Sequence, residues 1–172
     1  MHIRRLTLQD VPSFRALRLS ALRDEPTAFG ASYEEEAAFS PEVTATRLAE
    51  HPDQGVFGAF DGATLLGIIA LRRENMRKLR HKGMIFGMYV APEARGKGIG
   101  RSLLSQALAL AQSVPELLQV NLSVNASNVA AISLYESLGF ETFGREPGAM
   151  KIDDVLHEEL HMFWHPVRPT GV

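Results

Sequence analysis

The segment that most limits what this chain can fold into is Val90-Ala-Pro-Glu-Ala-Arg-Gly-Lys-Gly-Ile-Gly-Arg101. An apolar, β-rich run precedes it and an apolar helical pattern follows, so the chain must leave a strand, turn and enter a helix here. Gly96, Gly98 and Gly100 let the main chain take turn geometries that other residues resist, and let a ligand come close. Free amides at a helix start point at one spot, and the helix dipole reinforces them, an arrangement that binds phosphate. Arg95, Lys97 and Arg101 add positive charge around it. Spacing separates the phosphate loops. No segment fits Gly-x-x-x-x-Gly-Lys-Ser/Thr. A Gly-x-Gly-x-x-Gly fingerprint fails from either start, because Arg101 or Leu103 stands at the third glycine. What remains is Arg-x-x-Gly-x-Gly, from Arg95 to Gly100.

The flanking pattern predicts strands at 3–6, 55–60, 64–71, 84–90, 117–124, 141–144 and 155–163. It predicts helices at 11–24, from Ser40-Pro41 to about 50, at 99–113 and at 128–138. Asp10 is the expected cap of the first helix, whose apolar positions are Phe14, Leu17, Leu19 and Leu22. Asp61-Gly62 between two apolar runs signals a hairpin. The helix at 99–113 has one apolar face of Ile99, Leu103, Leu104, Ala107, Leu108 and Ala111. Gly139 is the expected left-handed stop of the helix before it, with Phe140 packing back. Hairpins mixed with helical crossovers make this an α/β chain with a mixed sheet.

A length of 172 residues is close to one domain on a prior of roughly 150 residues, so we expect residues 1–172 to form a single domain. Absence of cysteine removes disulfides, thiolate zinc sites and any cysteine nucleophile. A net charge of −2 argues against a globally basic nucleic-acid binder. No run nears the ~18 apolar residues of a membrane span, and the N-terminus lacks a signal-peptide core. The expectation is a cytoplasmic protein with neither nucleic acid nor membrane as partner.

The strand, then Val-x-Pro-x-x-Arg-Gly-x-Gly-Ile-Gly, then the apolar helix together resemble the acetyl-CoA site of the GNAT N-acetyltransferases. A second segment, Asn125-Ala-Ser-Asn-Val-Ala-Ala-Ile-Ser-Leu-Tyr-Glu-Ser-Leu-Gly-Phe140, is similar to that family's Asn-x-x-Ala-x-x-Leu-Tyr-x-x-x-Gly-Phe. The resemblance is strong from about residue 84 to 140. It implies a mixed, mostly antiparallel sheet flanked by helices, and acetyl transfer from acetyl-CoA to a primary amine by direct attack in a ternary complex. It also implies a homodimer as the common state.

The implied cofactor contacts are Met88 and Val90 on the strand, whose main chain meets the thioester carbonyl. Arg95, Gly96, Lys97, Gly98, Ile99, Gly100 and Arg101 at the turn, and Asn128, complete the set. Asn128 can equally be a plain helix cap. Tyr135 is the implied general acid, since a phenol with a pKa near ~10 can protonate a departing thiolate. A packed tyrosine is the plainer alternative. Relatives often carry a carboxylate on the strand before the turn, and residues 84–90 hold none. Glu35, within the run Glu34-Glu35-Glu36, is then the candidate base, against the alternative of a solvated acidic face. Tyr33 and Ser123 are weaker candidates. The acceptor is a small-molecule or peptide amine, and an acidic pocket would favour a cationic one. A non-catalytic acyl-CoA-binding module of the same fold is the rival reading, supported by the missing carboxylate.

No metal is expected. His157-Glu-Glu-Leu-His161 spells the zincin pattern but falls in a predicted strand. The basic stretch 72–82 reads as a solvated connection, with a contact to an acidic partner or the cofactor's outer phosphate as the alternative.

Overall fold

The computed structural model describes residues 1–167. In chain order the elements are β1 (His2–Arg5), α1 (Val11–Asp24), α2 (Tyr33–Ala37), α3 (Pro41–Arg47), β2 (Gly55–Asp61), β3 (Thr64–Arg73), β4 (Lys82–Val90), α4 (Ile99–Ser113), β5 (Gln119–Asn125), α5 (Val129–Glu136), β6 (Glu141–Ile152) and β7 (Val155–Trp164). The strands form one sheet, ordered β1-β2-β3-β4-β5-β7-β6. All neighbouring pairs are antiparallel except β4 with β5. This is the mixed, mostly antiparallel sheet expected above. Among the described residues no helix is long and apolar enough to cross a membrane.

Two cores sandwich the sheet. All six apolar positions of α4 are buried, against Phe57, Ile69 and Leu122. On the other face α1 packs Phe14 and Leu22 against Ile68 and Tyr89. Neighbours Ile68 and Ile69 enter opposite cores, as strand alternation requires. Strands covered on both faces read as unbroken apolar runs, which is what made them legible.

The β4–β5 pair decides where function sits. Only Lys82, Gly83 and Met84 pair with Gln119, Val120 and Asn121. β4 then continues to Val90 and β5 to Asn125 without further pairing between them. The two strands part into a cleft. On its β3 side β4 carries a bulge: Ile68 faces Tyr89 and Ala70 faces Phe86, so β4 has one extra residue. Gly87, at φ 63°, takes the left-handed conformation this bend needs.

Several expectations need correction. The buried stripe of α1 is Phe14, Arg18, Ala21 and Leu22, whereas Leu17 and Leu19 are only partly buried. A charged residue in the stripe is invisible to an apolar count. Asp10 precedes α1 but makes no side-chain cap bond. Its carboxylate accepts two bonds from Arg4, at 2.7 Å each, and one from the Thr7 amide at 2.8 Å. Helix α2 was not expected, although Ser32-x-x-Glu35 is a capping box. β6 runs to Ile152, well past the expected end at 144, because register shifts absorb the interruption at Pro147 and Gly148. The basic connection shortens to residues 74–81, since β3 reaches Arg73 and β4 begins at Lys82. His157 and His161 lie on β7, in extended chain.

The Arg4–Asp10 pair gives a test. The bonds from Arg4 and then Thr7 outweigh burial and hold the Asp10 carboxyl down at about 2, from 3.8. A lowered folded value means stability is present above the unfolded value, and is lost as pH falls from about 4 towards 2. Arg4 is 42% exposed, so screening reduces the contribution to about 1 kcal/mol. Asp10→Asn should therefore cost about 1 kcal/mol in urea denaturation at neutral pH, and much less at pH ~2. A cost that did not fall at acid pH would show that the charge is not what matters.

Candidate functional site

A cavity of about 1390 Å³ runs along the β4–β5 cleft. It exceeds the ~300–1,000 Å³ usual for one small ligand, leaving room for two reactants. One end is the glycine turn. Gly96 at φ 75° and Gly98 at φ 76° are left-handed, and a Cβ built at either meets nothing within 4 Å. Space therefore lies over the main chain there. At Gly100 a Cβ would stand 3.1 Å from Met88 Cε and 3.3 Å from Leu134 Cδ2, so a side chain there would press on both. The first intrahelical bond of α4 runs from the Ser102 amide to the Gly98 carbonyl, at 3.1 Å. The amides of residues 99–101 precede it and have no partner in the helix.

The three cations do not all face this spot. Arg95 donates to the Val90 carbonyl at 3.0 Å and pairs with Glu25. Arg101 donates to Ser137 Oγ at 2.7 Å, fastening α4 to α5. Both line the cavity, whereas Lys97 does not, and its ammonium donates to the Glu93 carbonyl. Main chain is the larger part of the cradle.

On β4, Met88 and Val90 line the cavity. Val90 faces Gly67, and the flanking Ala91 amide donates to the Leu66 carbonyl at 2.8 Å. Val90 is thus in a non-hydrogen-bonded pair, and its own N–H and C=O point away from β3. Its carbonyl takes the Arg95 bond. Its amide faces the cleft, where a developing oxyanion can meet it.

Helix α5 supplies the other wall. Asn128 accepts the Ala131 amide at 3.1 Å and also lines the cavity, so capping and contact coexist. Tyr135 lines it too, with its ring tilted on Phe140 and its hydroxyl 3.6 Å from Met88 Sδ. Burial pushes its phenol up to about 12. Gly139 ends the helix at φ 89° and turns Phe140 inward.

The acidic run divides. Glu35 is exposed and caps its own helix, accepting from the Ser32 amide at 2.9 Å. It does not line the cavity. Those bonds, the Ser32 amide first, lower its pKa. Glu36 does line it, but is buried between Arg18 and Arg47, with 2.7 and 2.8 Å contacts. Burial pushes Glu36 up and the two guanidiniums outweigh it, leaving it lowered. Tyr33 lies under Arg23 and is not a lining residue. Ser123 does line the cavity, and is tied to His161 Nδ1 at 2.9 Å.

Two features escaped the sequence reading. Asn125 is buried and lines the cavity, with its Oδ1 taken by Ser127 and its Nδ2 without a partner among the described residues. Glu159, its partner on β7, also lines the cavity, and its carboxyl is raised, chiefly by burial. The available signal was strand period two at 155–163. It places residues 157, 159 and 161 on one face.

A family model described as Acetyltransferase (GNAT) family matches residues 16–140. The mycothiol acetyltransferase of Salinispora arenicola is 31% identical over an alignment of 119 residues, gaps included, that covers 57% of this chain and 39% of that protein. The chain thus spans about two-fifths of the length of such curated relatives. A GNAT-family acetyltransferase from Streptococcus pneumoniae superposes with a TM-score of 0.85 at 23% identity, over 95% of this chain and 98% of that one. A phosphinothricin acetyltransferase from Sinorhizobium meliloti, solved in complex with AcCoA, gives 0.79 at 20%, over 98% and 92%.

Proposed function

The chain belongs to the GNAT family of acetyltransferases, and we propose that it transfers an acetyl group from acetyl-CoA to a primary amine by direct attack in a ternary complex. The observation that carries this reading is the continuity of the cavity. One space joins the glycine cradle, the Val90 amide, the Tyr135 hydroxyl and the α1–α3 side of the sheet. The residues suit the cosubstrate: open glycines and unpaired helix amides for a pyrophosphate, and an Asn128 side chain for the pantetheine arm. Bound there, acetyl-CoA supplies an activated acyl carbon.

The parting of β4 and β5 gives this chemistry its direction. Tyr135 belongs to the core on the α4–α5 face, while α1, α2 and α3 cover the other face. An amine reaching the cleft from the α1–α3 side meets the carbonyl between the strands, with Tyr135 beyond it to protonate the thiolate. The Val90 amide stabilises the charge that develops on oxygen.

The test is release of coenzyme A thiol from acetyl-CoA with a panel of amines and a blank lacking acceptor. Acceptor-dependent release of at least tenfold over the blank is the expected result. Acetyl-CoA binding without release on any amine would favour the non-catalytic module, and no binding at all would overturn both readings.

A further inference from the structure

We infer that Glu159 is the group that takes the proton from the incoming amine, and that the acceptor is accordingly an alkylamine that docks as its ammonium ion. This rests on the acetyltransferase reading above and supplies the base which β4 lacks.

Register places Glu159 at the reaction point. β4 and β5 last pair at Met84 and Asn121, in parallel. Four residues on, Met88 and Asn125 stand on opposite lips of the cleft. Asn125 pairs with Glu159 on β7, so Glu159 lies one strand spacing, roughly 5 Å, behind that lip. Cross-strand partners share a face. The alternate residues of β5, Leu122 and Val124, and their partners Met162 and Leu160 belong to the α4–α5 core, so Asn125 and Glu159 look to the α1–α3 side. That is the side from which the amine arrives, opposite Tyr135.

The other candidate bases in or beside the cavity are committed or distant, and the Tyr89 hydroxyl donates to Asp24 at 3.0 Å. Glu36 is held by Arg18 and Arg47, and Glu25 by Arg95. His51 borders the cavity from the loop before Gly55, level with Leu71 and Ile85, at the closed end of the cleft. His161 is held from both sides, by Ser123 through Nδ1 and by Glu146 through Nε2, at 2.9 Å each. Glu159 makes no ion pair or hydrogen bond through its carboxylate among the described residues. Beside it is the partnerless Nδ2 of Asn125, a residue only 5% exposed. A buried donor without an acceptor, next to a carboxylate without a donor, is half of a site whose other half is a polar ligand.

The electrostatics fit a base. Burial raises the Glu159 carboxyl first, His161 opposes this, and Glu146 adds to the rise. The charged groups facing it are Glu146 from β6 and His161 from its own strand, with Glu25 at the 3-10 turn Pro26–Ala28 that packs on β5 and β6. A raised carboxylate retains an abstracted proton better than an ordinary one.

The proton balance closes. The ammonium gives one proton to the Glu159 carboxylate, which later releases it to solvent. The amine lone pair forms the C–N bond. The C–S bond breaks with its electron pair on sulfur. Tyr135 passes its proton to that sulfur and regains one from solvent, while the nitrogen gives its second proton to solvent through Glu159 and becomes an amide.

The test compares wild type with Glu159→Gln, a near-isosteric change. Using the best alkylamine of the panel, kcat should fall at least 100-fold while the acetyl-CoA Kd stays within twofold. Methoxyamine, a weak base that is neutral at neutral pH, should show a loss below tenfold. A second readout needs no turnover. With 13C-carboxyl glutamate label, the resonance absent from Glu159→Gln should shift on adding the alkylamine to protein loaded with coenzyme A. An active wild type whose Glu159→Gln variant keeps kcat within twofold overturns this assignment alone. A wild type releasing no thiol with any amine overturns the acetyltransferase reading, and this assignment with it.

Discussion

Tyr135→Phe is expected to lower turnover by roughly 100-fold or more, the usual contribution of a positioned acid, with acetyl-CoA affinity within twofold. The variant isolates the hydroxyl. The ring is 8% exposed and rests on Phe140, and phenylalanine preserves that packing. The hydroxyl touches only the Met88 sulfur among the described residues. Its loss therefore costs the fold less than about 1 kcal/mol. Burial at about 12 keeps the phenol protonated through the neutral and alkaline range, so the group can act as a donor and not as a base. The deficit should shrink with an acetyl thioester of an acidic thiol, whose thiolate leaves without a proton. A uniform deficit across leaving groups would assign Tyr135 to packing, and an undiminished rate with chemistry limiting would remove it from the mechanism.

The sequence was most legible where one physical signal dominated. The α4 face follows helical spacing without a polar interruption, and its six positions and both boundaries match the structure. The β2–β3 hairpin follows from Asp61-Gly62, with Gly62 at φ 57°. Legibility failed where partners far apart in sequence decide. Arg18 looks like a surface residue until Glu36, eighteen residues on, is brought beside it. The strand expected at 141–144 runs on through Pro147 and Gly148 because the register shift that tolerates them depends on β7. The same holds for function. The glycine cradle is a local motif and could be read in place. Glu159 gains meaning only from its register with Asn125, and from the parting of β4 and β5. Glu35 drew attention as part of a charge run, yet its local capping bonds had already claimed it.

The largest effect on the fold is expected at Glu36. Glu36→Leu should cost about 3–5 kcal/mol, the penalty of leaving a buried charge without its partner. Arg18 on α1 and Arg47 on α3 both donate to this carboxylate on α2, and it is 6% exposed. These bonds tie three elements into the roof over the α1–α3 side of the cavity. Arg18 already has one buried nitrogen, Nη1, without a partner among the described residues. Arg47, with a third of its side chain exposed, can reach water. The penalty should therefore come mainly from Arg18. It follows that Arg18→Met combined with Glu36→Leu should recover at least half of the loss, since an apolar pair of similar volume replaces a buried ion pair at little cost. The pH dependence follows from the lowered carboxyl of Glu36. Its contribution is present above the unfolded value and is lost as pH falls through the lower folded one. Urea midpoints of the two single variants, the double variant and wild type, compared at neutral and acid pH, decide the matter. A Glu36→Leu cost below about 1 kcal/mol would mean that the three helices hold the roof by apolar packing alone.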